Sequence, residues 1–236
     1  MFSLKNTKHQ QHNGVEYSHF KNYQIKKMNK KGLLLIILGI FSIFFCYFFV
    51  DRQIVWFLYE HNSRQYTIMK FFSDDIISFI KVLVFVFYVY YFIKLILKKV
   101  VDIDTKFLLV ANAIIIGQFI KDILKGVFGR YWMETFKNNP SLIRNDLYGF
   151  NWFSFDNINN SFPSGHATFI FSFSVSMWIL FPKYRWIWAL LAFLVVVTQL
   201  LQYFHFASDL IAGSMLGSII GYYAAQSYNQ KSKQSK

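Results

Sequence analysis

His205 and Asp209 lie four residues apart at the junction of two long apolar runs. On a helix that spacing puts both side chains on one face. An imidazole nitrogen can attack phosphorus and form a covalent intermediate. A carboxylate on the other nitrogen fixes the ring's tautomer and orientation. His205 is therefore a candidate nucleophile and Asp209 its orienting partner. His166, in Phe162-Pro163-Ser164-Gly165-His166, opens another apolar run. It is a candidate general acid, because histidine exchanges protons near neutral pH. Ser164 and Gly165 suit a helix start, where free N–H groups bind anions and a glycine lets phosphate approach the backbone. Lys125 and Arg130 close the preceding run and are candidate phosphate clamps, the arginine as a planar fork and the lysine as a point charge. Lys121, one helical turn before Lys125, either assists or pairs with Asp122. Taken singly, each feature has a plainer reading: a capped helix, a helix-dipole aspartate, or an interfacial anchor.

The elements that must position these residues are membrane helices. The chain has 236 residues, 55% of them hydrophobic and 21% aromatic, and only 16% charged. A soluble domain carries more charge. The formal net charge of +13 would suit nucleic acid, but its placement beside apolar runs excludes that partner. Cys46 is the single cysteine and lies inside the first run, so it reads as a small packing residue.

Six runs have the length and apolarity of spanning helices, at roughly 33–50, 76–97, 107–128, 163–181, 186–204 and 209–225. The expected fold is all-α, a six-helix membrane bundle over 32–225. Basic tails at 1–31 and 226–236 flank it. Residues 53–72 mix aromatics with charges and read as an interfacial helix before the second span. With the N-terminus in the cytoplasm, 15 of the 25 Lys and Arg fall on the cytoplasmic side and 6 on the other. The positive-inside rule then puts both termini in the cytoplasm. All three motifs meet on the outer face, two of them joined by the long loop 129–162. Gly213, Gly217 and Gly221 recur every fourth residue and read as a helix-packing stripe.

The ordered set of a basic motif, Pro163-Ser164-Gly165-His166, and His205 with Asp209 resembles the type 2 phosphatidic acid phosphatase superfamily, over residues 107–225. The resemblance implies a six-helix membrane core and metal-independent hydrolysis through a phosphohistidine. It implies His205 as nucleophile, Asp209 as its partner and His166 as acid, with Ser164 and Gly165 on the phosphate. Two motifs depart from the family's pattern. The first usually reads Lys, six residues, Arg-Pro, whereas Lys125 and Arg130 are separated by four residues and no proline follows. The third usually reads Ser-Arg, five residues, His, and at the Ser-Arg position this chain has Thr198-Gln199.

These features lead to the expectation of a lipid phosphate or pyrophosphate phosphatase in a bacterial inner membrane, needing no metal or other cofactor. A phosphotransferase on the same site, or a lipid-phosphate binder without catalysis, stay open alternatives. Phosphatidic acid, polyprenyl pyrophosphate, phosphatidylglycerol phosphate and lipid A are all compatible headgroups.

Overall fold

The computed structural model describes residues 30–134, 138–155 and 158–234, with side chains through 229. Most of the N-terminal basic tail lies outside the described residues. Ile36–Lys236 forms one compact unit.

The described chain is helical: α1 Lys30–Phe49, α2 Asp51–Glu60, α3 Thr67–Lys70, α4 Ile76–Ile96, α5 Asp102–Phe128, α6 Leu142–Asn145, α7 Gly165–Leu180, α8 Arg185–Leu201 and α9 Ala207–Gln234. Among the described residues, β structure is limited to two isolated bridges, Arg130 with Phe150 and Trp132 with Ser141. Four helices are long and apolar enough to cross a membrane: Lys30–Phe49, Thr67–Ile96, Asp102–Phe128 and Pro182–Leu201. The protein is thus a multi-pass membrane protein. The other two expected spans are helical but differ in kind. α7 is apolar and has 16 residues, and α9 has 28 residues diluted by small and polar side chains.

The reason is burial. α7 and α9 pack against each other and against α5, so their facing surfaces need to be small rather than greasy. A Cβ on Gly213 would stand 2.4 Å from the Ser164 carbonyl oxygen, and one on Gly217 would stand 2.4 Å from that of Thr168. The glycine stripe lets α9 lie directly on the α7 backbone. Ile77, Ile80, Val110, Ile114, Phe169, Ile170 and Val195 fill the core among α4, α5, α7 and α8.

The segment 53–72 is not one interfacial helix. α2 ends at Glu60, a 3-10 turn follows at Ser63–Gln65, and helix resumes at Thr67. From there the helix runs into α4 through a π turn at Phe71–Asp75. Asn62, in the left-handed region at φ 48, reverses the chain. The Arg64 guanidinium pins this turn to Glu134 at 3.0 Å and to the Gln202 carbonyl at 3.0 Å. Helix α9 also continues into the segment expected as a C-terminal tail, as far as Gln234. The long loop opens at Gly129, which caps α5 in the left-handed region at φ 57. A Cβ there would stand 1.8 Å from the Asn151 carbonyl oxygen, so only glycine closes this turn.

Candidate functional site

The α8–α9 turn holds His205 against the start of α9. Its Nδ1 lies 3.5 Å from Asp209 Oδ2, without the alignment of a hydrogen bond. The ring is buried at 3% exposure. Burial is the largest influence on it and pushes its pKa from 6.5 down to about 4, against the opposing pull of Asp209. At neutral pH the ring is therefore uncharged, as a nitrogen nucleophile must be. Asp209 is held on several sides. It accepts from the Ser161 hydroxyl, from the Phe206 N–H at 3.2 Å and from Arg130. Its carbonyl accepts from the Ser164 N–H at 3.0 Å, which joins the start of α9 to the cap of α7.

His166 faces His205 with ring centroids 6.4 Å apart. On its other side, His166 Nε2 stands 3.3 Å from Asp74 Oδ1. Asp74 belongs to the π turn, an irregularity that recurs at functional sites. The sequence reading did not find Asp74. Its signal was a carboxylate at the mouth of an apolar run, where charge is expensive.

The two lysines converge on the same place. Lys121 lies against the α7 start, its Nζ 3.7 Å from where a Gly165 Cβ would be, and it pairs with Asp122. Lys125 Nζ donates to the Asn160 carbonyl at 2.6 Å and sits 5.3 Å from the centroid of the Trp132 ring. The Trp132 ring is in turn 5.3 Å from the His205 ring. Trp132 was also missed, although six residues separate it from Lys125. That is where the family's first motif has its arginine. Ser164 is fully buried, and its hydroxyl accepts from the Ala167 N–H at 3.3 Å. It is engaged as a helix cap.

Arg130, expected as a phosphate clamp, is placed elsewhere. Its side chain is 0% exposed and has no surface to offer a ligand. It donates to Asp51 at 2.8 Å, to Ser208 at 2.6 Å, to the Tyr148 hydroxyl at 3.1 Å, and to Asp209. Aromatic rings box it in, the Phe206 ring centroid at 4.2 Å. Burial alone would lower its pKa, but Asp209 and Asp51 outweigh burial and hold it above its ordinary value. Arg130 is the strut behind Asp209. Gln199 is likewise fully buried. Its amide points to the Ser73 carbonyl at 3.5 Å, and the Gln202 amide donates to the Ser73 hydroxyl at 3.1 Å. Both glutamines brace the π turn that carries Asp74.

His205 just before α9, His166 in the first turn of α7, and Lys121 and Lys125 near the end of α5 thus form one cluster. The family model of the PAP2 superfamily matches residues 106–233, more than half of the chain, and the chain belongs to that superfamily. It is 29% identical over 105 residues to a lipid A 1-phosphatase of Rhizobium johnstonii, covering 44% of this chain and 41% of the relative. A lipid A 1-phosphatase of Rhizobium etli is 28% identical over 106 residues, covering 45% and 43%. The bacitracin transport permease protein BcrC of Bacillus licheniformis is 37% identical over 60 residues, covering 25% and 30%. The chain thus spans less than half the length of these curated relatives. No solved structure matches it significantly.

Proposed function

We propose that this protein is an integral membrane phosphatase that hydrolyses a phosphate or pyrophosphate ester of a lipid through a phosphohistidine on His205. The observation that carries the reading is the facing pair His166 and His205, 6.4 Å apart, with Lys121 and Lys125 beside them. Membership of the PAP2 superfamily and the likeness to lipid A 1-phosphatases support a lipid phosphate as substrate.

In this mechanism Nε2 of neutral His205 attacks phosphorus, and the bond to the lipid oxygen breaks. Asp209 stabilises the positive charge that develops on the ring. Asp51 and Asp209 carry two negative charges against the one on Arg130, so the cluster keeps a net negative charge facing His205. His166, oriented by Asp74, protonates the leaving oxygen. It then takes a proton from the water that attacks the phosphohistidine, and free phosphate departs. Lys121, Lys125 and the backbone N–H groups at Gly165 and His166 hold the phosphoryl oxygens. The proposed topology has six spans, α7 and α9 being the inner pair. Both termini are cytoplasmic and the site faces outward, as the distribution of Lys and Arg supports.

The test is phosphate release by wild type and His205→Ala in detergent, with a metal chelator present. The substrates are phosphatidic acid, a polyprenyl pyrophosphate, phosphatidylglycerol phosphate and lipid A. Wild type releases phosphate from at least one substrate, traps a radiolabelled phosphoryl group, and His205→Ala does neither. Full turnover by His205→Ala would refute the mechanism. A second reading, binding of a lipid phosphate without turnover, is favoured by the neutral Trp132 and Gln199 at the two arginine positions of the family's motifs. It predicts binding by both proteins and release by neither.

A further inference from the structure

The loop after α5 carries three aromatic side chains out of the protein. Trp152, Phe153 and Phe155 are 55%, 70% and 66% exposed. They are held there by the backbone. The Asn151 N–H donates to the Gly129 carbonyl and the Phe153 N–H to the Val127 carbonyl, both at 2.8 Å. Phe153 itself sits in the left-handed region at φ 60, which bulky residues rarely adopt. Water is a poor environment for three rings fixed in this way.

Their position indicates what covers them. The Phe155 ring lies across Gly126, where a Cβ would stand 2.3 Å from its nearest atom. Gly126 continues a stripe on α5 at helical spacing: Ile115, Phe119 and Ile123. All three are largely exposed, on a helix long and apolar enough to cross a membrane. Phe155 therefore extends the lipid-facing stripe of a spanning helix by one turn. The segment Asn151–Phe155 carries no charge, and Trp and Phe at this level suit the lipid interface.

We infer that residues 151–155 form an aromatic wedge seated in the lipid bilayer, at the membrane boundary where the candidate site lies. The same loop is tied to that site further along. The Trp132 indole donates to the Ile158 carbonyl at 2.9 Å, Lys125 donates to the Asn160 carbonyl, and the Ser161 hydroxyl donates to Asp209. The wedge thus sets the height of the site relative to the lipid headgroups. The inference concerns membrane contact and stands apart from the catalytic reading.

The test uses the full chain with Cys46→Ser and an environment-sensitive dye on Phe153→Cys, in phosphatidylcholine vesicles doped with phosphatidylglycerol. A lipid carrying a quencher high in its acyl chain dims the dye, and aqueous iodide does not. Iodide quenching without lipid quenching places the loop in water and overturns the inference. Resistance to both quenchers means that protein covers the loop, a second copy of the chain being the first suspect, and overturns it equally. In a second arm, the triple variant W152S/F153S/F155S is checked for a monodisperse folded state. It is then assayed on a long-chain lipid phosphate in vesicles and on a short-chain soluble analogue. The expected result is a loss of about tenfold or more on the vesicle substrate alone. Equal loss on both substrates would overturn the role in setting height while leaving the dye result to decide insertion. No turnover of either substrate by wild type would count against the catalytic reading, and the dye result decides insertion in that case too.

Discussion

Replacing Arg130 by methionine should remove most of the stability of the protein at its site-bearing end. Arg130 stands between two carboxylates that are themselves fully buried, Asp51 and Asp209. Methionine matches much of its volume and leaves both charges without their cation. Each charge-assisted hydrogen bond is worth about 1.5–3 kcal/mol. Simple addition over four partners would overshoot, because the carboxylates keep their contacts to Ser208, Ser161 and the Phe206 N–H. Breaking a buried ion pair by removing one member costs about 3–5 kcal/mol, the figure to expect here. That is roughly two to three and a half orders of magnitude in the folding equilibrium. The assay is unfolding in mixed micelles as the denaturing detergent fraction is raised, with Arg144→Met as control. The exposed Arg144 guanidinium donates to Asn138, and its loss should cost no more than about 0.5 kcal/mol. Adding Asp51→Leu to Arg130→Met should recover part of the loss, because one stranded charge is gone. If Arg130→Met were as stable as Arg144→Met, the strut argument would be refuted, and Arg130 would be free to serve as a ligand-facing clamp after all.

Three further outcomes follow from the same geometry. The unfolded chain takes up the His205 proton near pH 6.5 and the folded protein near pH 4, so the unfolded state binds more protons in between. Stability is then full above pH 6.5 and falls as pH drops toward 4, by up to about 3 kcal/mol; His205→Asn should flatten this limb in unfolding titrations across that window. Asp74→Asn should lower kcat by about tenfold or more with little change in KM, because Asp74 touches His166 and not the lysines; an unchanged kcat would remove Asp74 from the mechanism. Gly213→Ala should destabilise by about 1–3 kcal/mol, since its Cβ meets the α7 backbone, whereas Gly165→Ala, whose nearest neighbour is Lys121 Cδ at 3.4 Å, should fold normally; melting temperatures of the two variants in detergent decide it.

How far the sequence reached is clearest at individual residues. Long apolar runs require helices because no other open structure satisfies its backbone in lipid, so the helical architecture was legible throughout. His205 with Asp209, and the helix start at Ser164, were also legible. Their spacing is local, and helical geometry converts four residues into one shared face. The glycine stripe of α9 was read as packing for the same reason.

Other features depended on contacts between distant parts of the chain. Nothing in the local pattern says that Asp51, at the start of α2, reaches Arg130 and Ser208. Fold topology makes that meeting, and it turns an apparent phosphate clamp into a buried strut. The π turn that aims Asp74 at His166 is invisible to a 3.6-residue period. The position of Trp132 beside Lys125 and His205 was hidden because the cationic type of Arg130 drew attention from the position two residues on. The sequence by itself determined the long helices and the local patterns at His205 with Asp209 and at the Ser164 helix start, because those are short-range properties of the chain. Only the tertiary structure decided which charged groups line the candidate site and which pair with each other, because burial and pairing depend on neighbours supplied by other helices.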